Sequence, residues 1–214
     1  MGKIMEAIFC IAYIIVTFIL GGLILKKSKG NKEYKLFGIM TLVLVFGDSF
    51  HLVPRIFAAI NQAGDYHVML GIGKMITSIT MTIFYLILYF IYSMRYKRQN
   101  NCLTVIMIVL AIARIGLCLM PQNDWTGADP VSWGIIRNIP FTIMGIIMIV
   151  LYFKERNDPS FRWMWLAICL SFAFYIPVVL WSDLSPMIGM LMLPKTCMYV
   201  WAICMGYKDQ KISK

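Results

Sequence analysis

Seven apolar runs of roughly 20 residues each, separated by short polar connections, restrict this chain to very few folds. Hydrocarbon offers no water to a backbone N–H or C=O, so a run of that length crosses a bilayer as a helix. The runs predict spanning helices near 5–25, 36–60, 67–94, 102–120, 133–153, 161–182 and 186–207. The expected fold is all-α: a polytopic, multi-pass cell-membrane protein with a single seven-helix transmembrane domain over residues 1–214. The first 26 residues read as the first span, because their apolar stretch is too long for a signal peptide and ends in Lys26-Lys27.

The connections carry an orientation signal. Lys26, Lys27, Lys29, Lys32 and Lys35 lie between the first two runs, and Arg95, Lys97 and Arg98 between the third and fourth. Lys154, Arg156 and Arg162 follow the fifth run, and Lys208, Lys211 and Lys214 form the tail. The alternate connections hold no Lys or Arg but contain Asp65, Asp124, Asp129 and Asp183. By the positive-inside rule the N-terminus is expected outside and the C-terminus in the cytoplasm. The net charge of +10 therefore belongs to loops facing a membrane and implies no nucleic-acid partner.

Against that apolar background, the stretch Gly47-Asp48-Ser49-Phe50-His51-Leu52-Val53-Pro54-Arg55 stands out, placing an acid, a histidine, a proline and an arginine inside the second run. Asp48, His51 and Arg55 fall at i, i+3 and i+7, one helical face. A charge facing lipid costs about 2.5–3.5 kcal/mol or more, so this face is expected to line a polar cavity. Five basic residues lie outside the loop clusters and the N-terminal Lys3: Arg55, Lys74, Arg114, Arg137 and Lys195. Counting about 1.5 Å of rise per residue brings them to a similar depth on five different helices. Arg55 and Arg137 are also close enough to helix ends to snorkel to headgroups.

Pro54, Pro140, Pro177 and Pro194 occur at comparable depth and release backbone carbonyls there. Tyr175 and Asn138 add neutral hydrogen-bonding groups, completing a candidate substrate-binding set of Arg55, Lys74, Arg114, Arg137, Asn138, Tyr175 and Lys195, with Asp48 and His51 as candidate catalytic residues. The connection from Pro121 to Pro130 is polar and bounded by prolines, either a lid over the cavity or a turn anchored by Trp125 and Trp133. Met81, Phe84, Met187, Met190 and Met192 are expected in packing or lipid-facing surface.

Six cysteines show no CxxC and no zinc-type spacing with the two histidines, His51 and His67, so neither metal site nor disulfide is expected. No cofactor motif occurs. An Asp-His pair beside several cations can act as a general base with oxyanion stabilisation, or hold an anion without reacting.

Gly47-Asp48, followed some 35 residues later by Thr82-Ile83-Phe84-Tyr85-Leu86, with Pro140 opening a helix and Leu193 to Gly206 closing the chain, resembles the YhhN-type lysoplasmalogenase family of multispanning hydrolases. The resemblance implies vinyl-ether hydrolysis of a lysoplasmalogen, with Asp48 as catalytic acid or base. The family's usual pattern has eight helices, a histidine where Thr82 stands here, and a Ser-Asp pair within a late helix; Ser182-Asp183 lies at a helix end. Tyr175-Ile176-Pro177 with Lys195 in the last run is similar to retinal-binding rhodopsins, which implies a Schiff-base lysine and would need Asp48 as counter-ion. The leading expectation is a membrane-embedded hydrolase of an amphiphilic membrane lipid; the alternatives are a small-anion transporter or receptor, and a rhodopsin-like protein. The sequence sets no oligomeric state.

Overall fold

A computed structural model describes residues 2–61, 64–181 and 185–212. The Ser182-Asp183 pair and Lys214 lie outside them. Helices α1 (Gly2–Lys26), α2 (Lys32–Ile60), α3 (His67–Arg95), α4 (Asn101–Leu119), α5 (Val131–Lys154) and α6 (Met164–Trp181) are followed by one turn, α7 (Pro186–Gly189), and by α8 (Met192–Ile212). No strand occurs among the described residues. Seven of the helical stretches are long and apolar enough to cross a membrane. Exposed Ile, Val, Leu, Met and Phe side chains cover the outward faces of α1, α4 and α5. Such a coat is unfavourable in water and native to lipid. The chain is that of an integral, multi-pass membrane protein.

Local signals start the helices where the polar connections end. The Asn31 side chain accepts from the Glu33 N–H (2.9 Å) and the Tyr34 N–H (3.5 Å) to cap α2, and Asn100 accepts from the Leu103 N–H (3.2 Å) to cap α4. The last span is broken at Met190-Leu191 instead of running unbroken from residue 186. Pro194 has no N–H to donate to a preceding turn and is best accommodated in a first turn, which is where it lies in α8. Lys195 consequently sits in that first turn.

Each spanning helix packs on the next in sequence, and α8 closes the ring against α1 and α6. At the centre, Tyr85 meets Phe84, Phe141 and Phe172 edge to face at 5.4, 5.1 and 5.6 Å between ring centroids. α2 and α3 approach one another closely. Pro54 leaves the Phe50 carbonyl without its helical donor, and Gly73 of α3 lies so close to that carbonyl that a Cβ at Gly73 would collide with it.

At the lysine-rich end, Arg95 is more than a loop charge. Its guanidinium binds Glu33 (2.8 Å), Asp158 (2.8 Å) and both carboxylate oxygens of Asp209 (2.8 and 3.1 Å), and stacks 4.4 Å over Phe161. Tyr34 and Tyr96 donate to Asp209 (2.9 Å) and Asp158 (2.7 Å). One side chain thus joins α2, α3, the α5–α6 connection and α8. Burial raises the Asp158 carboxyl, but hydrogen bonds from Arg95, Tyr96 and the Ser160 N–H outweigh it and hold the group below its ordinary value. A depressed carboxyl stabilises the fold above its unfolded pKa of about 3.9 and loses that contribution as pH falls through the folded value. Asp158→Asn should therefore lower stability by about 1.5–3 kcal/mol at neutral pH. Paired melting curves should show the gap closing below about pH 4; a gap that persists unchanged into acid would contradict this origin.

Candidate functional site

Eight of the nine sequence-predicted residues line one cavity of about 250 Å³: His51 and Arg55 from α2, Lys74 from α3, Arg114 from α4, Arg137 and Asn138 from α5, Tyr175 from α6 and Lys195 from α8. It lies toward the lysine-poor end of the bundle. A second space of about 230 Å³ adjoins it, sharing His51, Arg55, Lys74, Trp125 and Asp129 and adding His67. The apolar part of the main wall includes Met81, Phe141, Val178, Val179 and Met192. Met81 and Met192 were expected only in packing or lipid contact.

The ninth residue is elsewhere. Asp48 is 7% exposed and accepts a 2.6 Å hydrogen bond from the Tyr13 hydroxyl. It borders a separate space of about 30 Å³ whose wall also includes His51, Arg55, Thr77 and Lys195, room for about one water molecule. Asp48 and His51 make no hydrogen bond to one another, and His51 Nδ1 is buried without a hydrogen-bond partner among the described residues. His51 and Lys195, which border both spaces, stand between Asp48 and the main cavity.

The cations are not as isolated as their sequence neighbourhoods implied. Arg55 is paired with Glu6 of α1. Asp129 binds Lys74 (3.1 Å) through one oxygen and Arg137 (3.0 Å) through the other. Arg137 also donates to Asn123 Oδ1 (2.9 Å) and stacks 4.0 Å from Trp125, so it is held inside the site and does not snorkel away. Lys195, 6% exposed, sits 4.2 Å over the Tyr175 ring, whose hydroxyl donates to Asn138 Oδ1 (2.8 Å). Arg114 is the exception. It is 1% exposed, stacks 3.6 Å over Phe141, has no carboxylate partner among the described residues, and leaves Nε and Nη1 without an acceptor.

The missed partners had a readable signal. Glu6 and Tyr13 are seven residues apart, as are Asp48 and Arg55. On two antiparallel helices equal spacing lets both pairs meet at once, Tyr13 with Asp48 and Glu6 with Arg55. A lone glutamate entering an otherwise apolar run was the clue.

The connection between α4 and α5 folds inward as a strap. Asn123 donates to the Leu117 (2.6 Å) and Met120 (2.8 Å) carbonyls at the end of α4, and the Trp125 indole N–H donates to the Cys118 carbonyl (2.8 Å). Asp124 and Asp129 take left-handed conformations, φ 42° and 40°, which Asp tolerates better than most residues. Gly71 lets the Trp125 backbone press against α3. Trp125 thus forms part of the cavity wall. No group of His, Cys, Asp or Glu side chains suited to hold a metal ion occurs among the described residues.

Comparison with family models, curated proteins and solved structures returned no match. Chemically, a wall that gathers three lysine and arginine side chains from α4, α5 and α8 suits an anionic group. Asp129 fastens the strap to α3 and α5, so Asp129→Asn should raise amide exchange across 121–130 by roughly tenfold or more while α3 and α5 stay protected. Unchanged exchange in that segment would show that Asp129 does not hold it.

Proposed function

We propose that this protein holds an anionic amphiphile in the cavity, with the N-terminus outside, the C-terminus cytoplasmic and the cavity opening toward the exterior leaflet. Arg114 carries the reading. An uncompensated guanidinium buried among helices is costly, and a carboxylate or phosphate oxygen within reach would remove much of that cost. The alternation of lysine-rich and acidic connections supports the orientation. The Val and Met surfaces on the wall supply a place for the start of an alkyl chain. Binding, as in a receptor or transporter, is favoured over turnover because Asp48 is engaged by Tyr13 and lies off the main cavity.

Hydrolysis in the manner of a lysoplasmalogenase is the second reading, and one observation favours it. His51 borders both spaces with Nδ1 unpartnered, a position from which it could accept a proton from water and face Asp48 behind it. Asp48→Asn then abolishes product formation while leaving ligand binding in place.

Under the binding reading, a single-chain anionic amphiphile raises the melting temperature of the detergent-solubilised protein, and a zwitterionic analogue of equal chain length does not. Arg114→Gln should weaken anion binding on the order of 10- to 100-fold, from the loss of about 1.5–3 kcal/mol of charge-assisted hydrogen bonding. Equal stabilisation by both amphiphiles, or undiminished binding to a folded Arg114→Gln protein, would contradict the reading.

A further inference from the structure

The charges around the cavity do not cancel, and the remainder specifies the ligand's head. Five cationic side chains line the main wall: Arg55, Lys74, Arg114, Arg137 and Lys195. Three carboxylates face them among the described residues. Glu6 serves Arg55, Asp129 is shared by Lys74 and Arg137, and Asp48 borders the small space with Lys195. Two positive charges are left over. One belongs to the pair that must divide Asp129, toward the mouth; the other is Arg114, whose Nε and Nη1 find no acceptor.

A carboxylate or a phosphodiester carries one negative charge and would leave one of these two uncompensated. From the surplus of two, and resting on the anionic-amphiphile reading, we infer that the cavity is built for a phosphate monoester, a dianionic head with three terminal oxygens. Such a group carries about −1.5 to −2 charges at neutral pH, its second ionisation lying near pH 6. Its geometry matches the donors as well as its charge does. Arg114, Arg137 and Lys195 reach the cavity from α4, α5 and α8, so acceptor oxygens are wanted in three directions. A planar carboxylate supplies two, whereas a tetrahedral monoester supplies three. The single chain then runs along Met81, Phe141, Val178 and Met192 on the apolar part of the wall.

The same chemistry could arrive as a single-chain phosphate lipid or as free phosphate, and the ligand series separates them. The full chain in non-ionic micelles is titrated near pH 8, where the monoester is fully ionised, with dodecyl phosphate, dodecyl methyl phosphate, dodecanoate and inorganic phosphate. Binding is read by thermal shift and equilibrium titration. Dodecyl phosphate should bind at least about tenfold more tightly than its methyl diester and than dodecanoate, the equivalent of one added charge-assisted hydrogen bond. In Arg114→Gln the preference over the diester should collapse toward unity. If that variant does not fold, Arg114→Lys, which keeps the charge, should retain the preference with weaker absolute binding. Equal affinity for the dianion and both monoanions would overturn the monoester inference and leave the anionic-amphiphile reading standing. Failure of every alkyl anion to bind would overturn the reading as well. Inorganic phosphate binding as tightly as dodecyl phosphate would keep the dianionic head and remove the lipid chain.

Discussion

A guanidinium inside a helical bundle needs a negative partner, and much of this structure can be understood as the distribution of too few carboxylates among too many cations. At the lysine-rich end Arg95 is well supplied, binding three acids, two of which also accept from tyrosine hydroxyls. Toward the lysine-poor end, Asp129 divides itself between two cations, and Arg114 stacks on Phe141 with no carboxylate partner among the described residues and with Nε and Nη1 unpaired. Cation–π contact contributes roughly 0.5–2 kcal/mol, less than a buried cation loses on leaving water. That inequality points to an anion as the missing component.

The scaffold around this imbalance is rigid where it must be. α1 and α2 are fixed in register by Tyr13 on Asp48 and Glu6 on Arg55, two contacts on one face about two turns apart. α2 and α3 touch at Gly73, where a side chain would force them apart, and the strap from α4 to α5 is fastened by Asp129. Each of these contacts aims a cation inward or keeps its neighbour from moving. The broken last span serves the same geometry, because α8 restarts at Met192 and puts Lys195 in its first turn, from which it lines the cavity.

The sequence makes the seven spans legible because a run of about 20 apolar residues has few alternatives in lipid. The convergence of Arg114, Arg137, Lys74 and Lys195 is legible too, since charges that cannot face lipid must face each other or a cavity. What stays hidden is pairing. The partner of Arg55 is signalled only by the matching spacing of Glu6-Tyr13 with Asp48-Arg55, and nothing local to Lys74 or Arg137 names Asp129 in the 121–130 connection. Asp48 illustrates the same limit. Its depth and its helical face were readable, but the Tyr13 hydroxyl that occupies it, and its seat behind His51 and not on the main wall, depend on how α1 leans against α2. The tight α2–α3 approach also depends on a coincidence of Pro54 with Gly73 that neither residue announces alone.

Native mass spectrometry of the protein released from non-ionic micelles tests the central claim most directly, because a site whose charge is unbalanced should leave the membrane still occupied. The account predicts a wild-type species carrying one anionic single-chain lipid, and a folded Arg114→Gln species without it. Identical adducts on both proteins, or none on either, would contradict the claim that Arg114 awaits an anion.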